Sequence, residues 1–315
     1  MQFAQDLALR RGIDLVWAEH TIGQAVQLPT VTKLMQQPAK TFVKNWRVYR
    51  GRFIDPVRIE AGARFWQANE ASLLRAEKQY GVPPEIIVGI IGVETIYGRN
   101  TGSFRVMDAL STLAFDFPPS HSRAQERSAY FKSELEQFLT FQNRRGTNPF
   151  EVRGSYAGAM GMPQFMPTSV TKYAVDFDGD GVIDMWNSPA DVIGSVASYF
   201  KAFNWQPGMP THYPVSFEIN RLDMDALLAP DILPTFSVDG FSAKGAVLEG
   251  AGALHGGPLA LVELKNGADA PQYVAGTENF YVITRYNWSS YYAMAVIELG
   301  REVALRMKHK RHVSH

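Results

Sequence analysis

Glu94 is the residue best placed by its surroundings to move a proton. Residues 84–97 place Ile87, Ile90 and Ile91 at helical spacing from it, so the carboxyl projects where an apolar stripe projects. Among isoleucines the charged form loses hydration, which raises the pKa and keeps the acid protonated near neutral pH. Such a group can serve as a general acid. A glutamate near a helix end can also turn outward to water, and spacing alone leaves both dispositions open.

A second cluster lies in residues 176–187. Asp176, Asp178 and Asp180 stand at positions 1, 3 and 5 of an EF-hand calcium loop, with Gly181 at 6 and Ile183 at 8. Val182, at position 7, would offer its backbone carbonyl. Position 12 is Asn187 in place of the usual bidentate glutamate, and Asp184 or the later Asp191 could supply the missing carboxylate. An Asp/Gly-rich surface turn is the plainer alternative. A loop of this kind lacks the open position of a water-activating metal, which makes a bound ion structural. The seven histidines are scattered, and no Ser/His/Asp arrangement is evident.

The third signal is residues 154–167, where small residues are interleaved with Tyr156, Met160, Gln164 and Phe165. Small residues let backbone approach a ligand closely, while an amide and an aromatic ring supply hydrogen bonds and a flat face. Tight loop packing would give the same composition. Of the 13 Tyr, 19 Phe and 6 Trp most must be core, although residues 284–292 could also form stacking platforms for sugar rings.

The elements that must hold these residues read as mainly helical. Short amphipathic runs mark residues 3–11 and 31–35, and residues 57–80 read as one longer helix. Residues 81–84 stop it and start the Glu94 helix, which the pattern ends near Gly98. Further helices are expected over 105–115, 123–142, 188–203 and 292–307. After Trp205 the texture changes. Residues 215–219, 259–264 and 278–284 read as short strands separated by turn residues. The expected division is 1–55, an N-terminal helical portion; 56–209, a core with the calcium loop; 210–278, a small β-rich domain; and 279–315, a return to the core.

Composition narrows the function classes. The chain has 31 basic and 31 acidic residues, so no net charge favours nucleic acid or an acidic membrane. The basic run over 308–312 reads as a solvated terminus. The absence of cysteine removes disulfides, thiolate metal sites and thiol nucleophiles. No stretch approaches 18 apolar residues, and the first residues lack the regions of a signal peptide.

In this order the three signals resemble the lytic murein transglycosylases of the B type. The likeness runs from about Phe42 to Gly300 and rests on residues 89–98, residues 155–167, Asp176 to Asp180 with Trp186, and residues 284–287. The resemblance implies a mainly α (α+β) fold: a lysozyme-like helical core, an N-terminal helical portion and a small β-rich insertion. It implies non-hydrolytic cleavage of the β-1,4 bond between N-acetylmuramic acid and N-acetylglucosamine in peptidoglycan. Glu94 would protonate the glycosidic oxygen, then act as base on the muramic acid C6 hydroxyl, closing a 1,6-anhydro ring. Most glycosidases need a second carboxylate, but substrate-assisted mechanisms do not. Asp108 and Asp116 are the nearest candidates for one.

The same resemblance assigns Ser155, Met160, Gln164, Phe165, Tyr199, Asn287 and Tyr292 to the substrate groove, with Tyr49 from the N-terminal part. It gives structural Ca²⁺ the ligands Asp176, Asp178, Asp180, the Val182 carbonyl and Asp191. Relatives carry adjacent arginines facing the peptide stem; here Arg123 and Arg127 are a full helical turn apart, with His121 just before them. The expected partners are peptidoglycan strands and other cell-wall enzymes, with no nucleic acid, and a membrane only through a lipid anchor. The expected location is periplasmic, with no signal segment in this chain. A hydrolytic muramidase and a non-catalytic, calcium-stabilised peptidoglycan-binding protein are the competing readings.

Overall fold

A computed structural model describes residues 2–36 and 43–313, except for the side chains of 310–313. Phe42 and the end of the basic 308–312 run therefore lie outside the described residues and side chains. The chain divides into two compact units, one of residues 1–42 and 97–192, the other of 43–96 and 193–315.

In the first unit, helices Gln2–Arg11, Leu15–Gly23 and Pro29–Leu34 precede the buried helix Val106–Phe115 and the long helix Ala124–Arg145. A two-stranded antiparallel pair, Phe104–Arg105 with Arg153–Gly154, leads into the small-residue segment. That segment ends at the helix Pro167–Tyr173. The buried Glu134 accepts a hydrogen bond from Thr168 N at 2.9 Å there, satisfying one of the helix's unpaired first-turn donors.

In the second unit, the expected helix over 57–80 is two helices, Pro56–Ala68 and Glu70–Tyr80. Asn69 separates them. Its backbone leaves helical geometry (φ −122°, ψ 21°) and its amide bonds the Phe65 carbonyl at 2.8 Å, the local competition that makes Asn a helix breaker. The Glu94 helix spans Pro84–Thr95 and is capped at Ile96, two residues earlier than the Gly98 expected. Ile96, Tyr97 and Gly98 all have positive φ, which is costly for the β-branched Ile96.

The last helix, Ser290–Val313, lies along the Glu94 helix. A Cβ on Gly89 would collide with the Val296 carbonyl, and one on Gly300 with the Glu85 carbonyl. The two helices thus meet backbone to backbone, with Ile87, Ile90 and Ile91 wholly buried.

The β-rich region forms a three-stranded antiparallel sheet in the order His212–Pro214, Asp269–Gly276, Ala260–Asn266. A separate pair joins Ser216–Phe217 to Ala246–Val247, so the strand expected over 215–219 is shortened to two residues, and Ile219 begins a 3-10 turn. The two-residue Gly267-Ala268 turn closes the long hairpin, with Gly267 at φ 69°, and Pro271 sits where its strand has no third partner. Leu227, Phe241, Leu259 and Leu261 are wholly or almost wholly buried beneath it.

The expected strand over 278–284 is a helix, Glu278–Thr284. Its β-branched and aromatic content misleads because tertiary hydrogen bonds decide the conformation. Thr277 Oγ1 accepts from Asn279 N at 3.2 Å and donates to the Pro210 carbonyl at 2.7 Å. The buried Asn279 amide bonds Gln206 N, Gln206 O and Met209 O, each at 2.8 Å.

Candidate active site

The carboxyl of Glu94 is only partly exposed, at the end of a helix whose other inward residues are sealed. Loss of hydration pushes its pKa up to about 7, while a hydrogen bond from Tyr292 opposes the shift. No second carboxylate among the described residues contributes. Near neutral pH the group therefore exists in comparable amounts as acid and as base.

Tyr292 is on the first turn of the Ser290–Val313 helix and donates its hydroxyl to Glu94 Oε1 at 2.5 Å. The backbone contact at Gly89 and Gly300 brings that turn this close. Tyr292 is almost wholly buried and stacks on Tyr286, with centroids 6.4 Å apart and an interplanar angle of 15°. Burial, then the charge of Glu94, raises both phenol pKa values well above normal, so each hydroxyl keeps its proton.

Tyr199 lies 4.9 Å from Tyr286 and donates to the Arg285 carbonyl at 2.7 Å. Tyr49, on the helix Trp46–Gly51, has its pKa raised by burial and then by the charge of Glu94. Its ring packs against Tyr291 at 5.7 Å and Phe53 at 5.0 Å. The hairpin tip steadies this helix: Asn266 Oδ1 accepts from Arg47 N at 3.2 Å, and Tyr291 donates to the Lys265 carbonyl at 2.9 Å.

Tyr49 and Tyr292 are thus linked to Glu94 by charge or by contact, and Tyr199 joins them through the Tyr286 ring. Asn287 is exposed, next in sequence to Tyr286. Tyr286 is the residue that the sequence reading missed. Its only signal was membership of the aromatic run over 284–292.

The small-residue segment of the first unit is a tight loop. Met160 N donates to Phe165 O at 2.8 Å, and Phe165 N returns a bond to Met160 O at 3.0 Å. Both side chains are buried, Met160 completely. Ser155 Oγ accepts from Ala157 N and Ala159 N at 3.2 and 3.0 Å, holding the turn. Gln164 takes a left-handed backbone (φ 51°) and its amide nitrogen donates to the Thr101 and Gly161 carbonyls, each at 3.0 Å. Asp108 and Asp116 are committed elsewhere. Asp108 is buried and bonds Arg105 Nε at 2.5 Å and Val26 N at 3.0 Å, and Asp116 accepts from Gln27. Arg123 is paired with Glu126, and Arg127 lies over the rings of Tyr130 and Phe131 at 5.4 and 5.1 Å.

In the aspartate loop, oxygens of Asp176, Asp178 and Asp191 converge to within 4.8 Å of one another. Asp191 is fully buried yet accepts only backbone donors: Phe177 N at 2.6 Å, Asp184 N at 2.8 Å and Asp178 N at 3.4 Å. Asp184 instead holds its own turn, accepting from Trp186 N, Asn187 N and Asn187 Nδ2 at 2.8 to 3.0 Å. Asp180 is outside the convergent set and accepts from Val182 N at 2.8 Å. Three convergent carboxylate oxygens offer the hard donor set that a divalent ion takes. The loop also touches the small-residue segment, since Met162 N donates to Met185 O at 2.8 Å.

Comparison with known proteins places these features in company. The family described as transglycosylase SLT domain matches residues 1–301. The membrane-bound lytic murein transglycosylase B of Escherichia coli (strain K12) is 42% identical, over 96% of this chain and 82% of its own. The crystal structure of the soluble lytic transglycosylase SltB1 from Pseudomonas aeruginosa superposes with a TM-score of 0.83 at 41% identity, covering 97% of this chain and 98% of that one. The Escherichia coli lytic transglycosylase SLT35, solved in complex with calcium, has a TM-score of 0.82 at 40% identity, covering 97% and 92%.

Proposed function

The chain belongs to the transglycosylase SLT domain family, and from that premise we infer that it is a lytic transglycosylase cutting the glycan strands of peptidoglycan. The carrying observation is Glu94, a lone carboxyl held by desolvation at a pKa of about 7. In the reaction we assign to it, protonated Glu94 gives its proton to the glycosidic oxygen between N-acetylmuramic acid and N-acetylglucosamine. The substrate's N-acetyl group stabilises the electron-poor C1. The Glu94 carboxylate then takes the C6 hydroxyl proton as that oxygen bonds to C1, leaving a 1,6-anhydro end and consuming no water. A pKa near the working pH suits both transfers. The Tyr292 hydroxyl strengthens its bond as charge forms on Glu94, so it favours the state between them.

We assign substrate contacts to Tyr49, Tyr199, Asn287 and Tyr292, and to Ser155 and Gln164, with Met160 and Phe165 shaping the loop that bears Gln164. Tyr286 joins this set on its geometry. We assign a structural calcium ion to Asp176, Asp178 and Asp191, with Asp180 and the Val182 carbonyl as outer contributors. Its likeness to a protein solved with calcium and the convergence of three carboxylates support this reading. The substrate class makes the periplasm the place of action.

Mass spectrometry of digested sacculi tests the assignment. Anhydromuramic ends are expected, and they disappear with Glu94→Gln while sacculus binding persists. Reducing muramic ends would make the protein a hydrolase. Binding without any cleavage by the wild type would make it a binding protein.

A further inference from the structure

The residue preceding Tyr286 is Arg285. Its guanidinium stands over three rings, those of Phe203 at 5.4 Å, Trp288 at 5.8 Å and Tyr281 at 5.9 Å. Trp288 meets Tyr281 edge-on, with centroids 5.9 Å apart at 87°, and is 53% exposed. A tryptophan so exposed gains little for folding from its position. Arg285 is itself exposed, and no acidic side chain pairs with it among the described residues.

Stacking occupies the faces of a guanidinium and leaves the N–H donors along its edge in a fixed fork. A cation held in this way, with its donors free, matches a planar carboxylate. Arg285 also shares the frame of the Glu94 site. Its carbonyl receives the Tyr199 hydroxyl, and the Tyr199 ring packs on Tyr286. Tyr286 in turn stacks on Tyr292, so Arg285 belongs to the same packed segment as the Glu94 site.

We propose that Arg285, with Trp288 as its apolar wall, binds a carboxylate of the peptide attached to the glycan strand being cut. This rests on the assignment of peptidoglycan as substrate. Charge complementarity selects the occupant. Where the lactyl carboxyl of muramic acid is amide-linked to peptide, the N-acetylated sugars carry no ionised group for a fork of N–H donors, whereas the attached peptides end in free carboxylates. The indole covers the aliphatic part of such a peptide, as exposed tryptophans do at other polar interfaces.

The test compares peptide-bearing glycan with the same glycan stripped of peptide by an amidase, its freed lactyl carboxylates then capped as neutral amides, using the full chain. The readout is the ratio of kcat/KM on the two. Arg285→Ala is expected to lower that ratio about tenfold, mainly through KM, with Arg285→Lys intermediate. Trp288→Ala lowers it by a smaller factor, about threefold. Equal losses on both glycans, or no loss on either, overturn the proposal. So does a Trp288→Ala loss on both glycans with Arg285→Ala silent, which would mark the tryptophan as a platform for a sugar ring. The dissociation constants of the two glycans for Glu94→Gln protein, with and without Arg285→Ala, give the same comparison without turnover. If the wild type cleaves neither glycan, the assigned reaction falls, while the binding comparison still decides the role of Arg285. Should Arg285→Ala lower the melting temperature, Arg285→Lys carries the comparison.

Discussion

Tyr292 donates its hydroxyl to Glu94 at 2.5 Å, and this bond pulls the carboxyl pKa down while burial pushes it up. The reactivity of the acid is the difference between two opposed effects on one group. That difference is open to measurement.

Removing the donor should shift the balance toward burial. Tyr292→Phe takes away a bond to the charged form, so the Glu94 pKa rises further. The alkaline limb of kcat/KM, expected near pH 7 in the wild type, should move upward by about one unit while the maximal rate falls. A pH–rate profile with that limb in its original place would remove Tyr292 from the proton chemistry.

The same shift has a cost for folding, with a definite sign. The folded pKa of Glu94 lies above the unfolded value of 4.5, so the stability it contributes is fully present below pH 4.5 and is lost as pH rises through about 7. Glu94→Gln carries no such dependence. Chemical denaturation should find the variant more stable than wild type by up to about 3 kcal/mol at pH 8, with the gap closed at pH 4. A gap of equal size at both pH values would mean that Glu94 is not held neutral by burial.

Chelation should separate the two candidate carboxylates of the aspartate loop. In calorimetry, EDTA is expected to lower the melting temperature of wild type by roughly 5 °C or more. Asp191→Asn should abolish that difference, because Asp191 joins the convergent oxygens. Asp184→Asn should keep most of it. No effect of EDTA on the wild type would count against a bound ion.

Asn279 offers a stability test away from the chemistry. Asn279→Ala leaves Gln206 N, Gln206 O and Met209 O without their buried partner. A loss of about 2–4 kcal/mol in denaturant titration is expected. A loss below about 1 kcal/mol would mean that helix propensity, not this network, sets the 278–284 conformation.

What the sequence discloses and what it hides follow from the range of each interaction. Glu94 was legible because the isoleucines that desolvate it are three to seven residues away on its own helix. The aspartates at 176 and 178 were legible for the same local reason, but the choice of Asp191 over Asp184 depends on how the chain returns after Asn187. Tyr286 escaped notice because its tie to Glu94 runs through Tyr292, across a turn with no fixed period. The stretch 278–284 was misread because its β-branched residues speak locally, while the hydrogen bonds that make it helical reach some 70 residues back, to Gln206 and Met209. Ser155 shows a further limit, since a hydroxyl in a small-residue loop gives no sign of being occupied by its own backbone.

The backbone contact at Gly89 and Gly300 changes where this enzyme is fragile. Buried isoleucines beside Glu94 can exchange for residues of similar volume at modest cost, since a core absorbs such swaps by repacking. A single methyl on either glycine cannot be absorbed, because it meets peptide groups of the opposite helix, which have no rotamers to change. The helices would part, and Tyr292 would leave Glu94 with the fold otherwise intact. Saturation mutagenesis scored on activity should therefore find its narrowest positions at two residues with no side chain, neither of which touches a substrate or carries a proton.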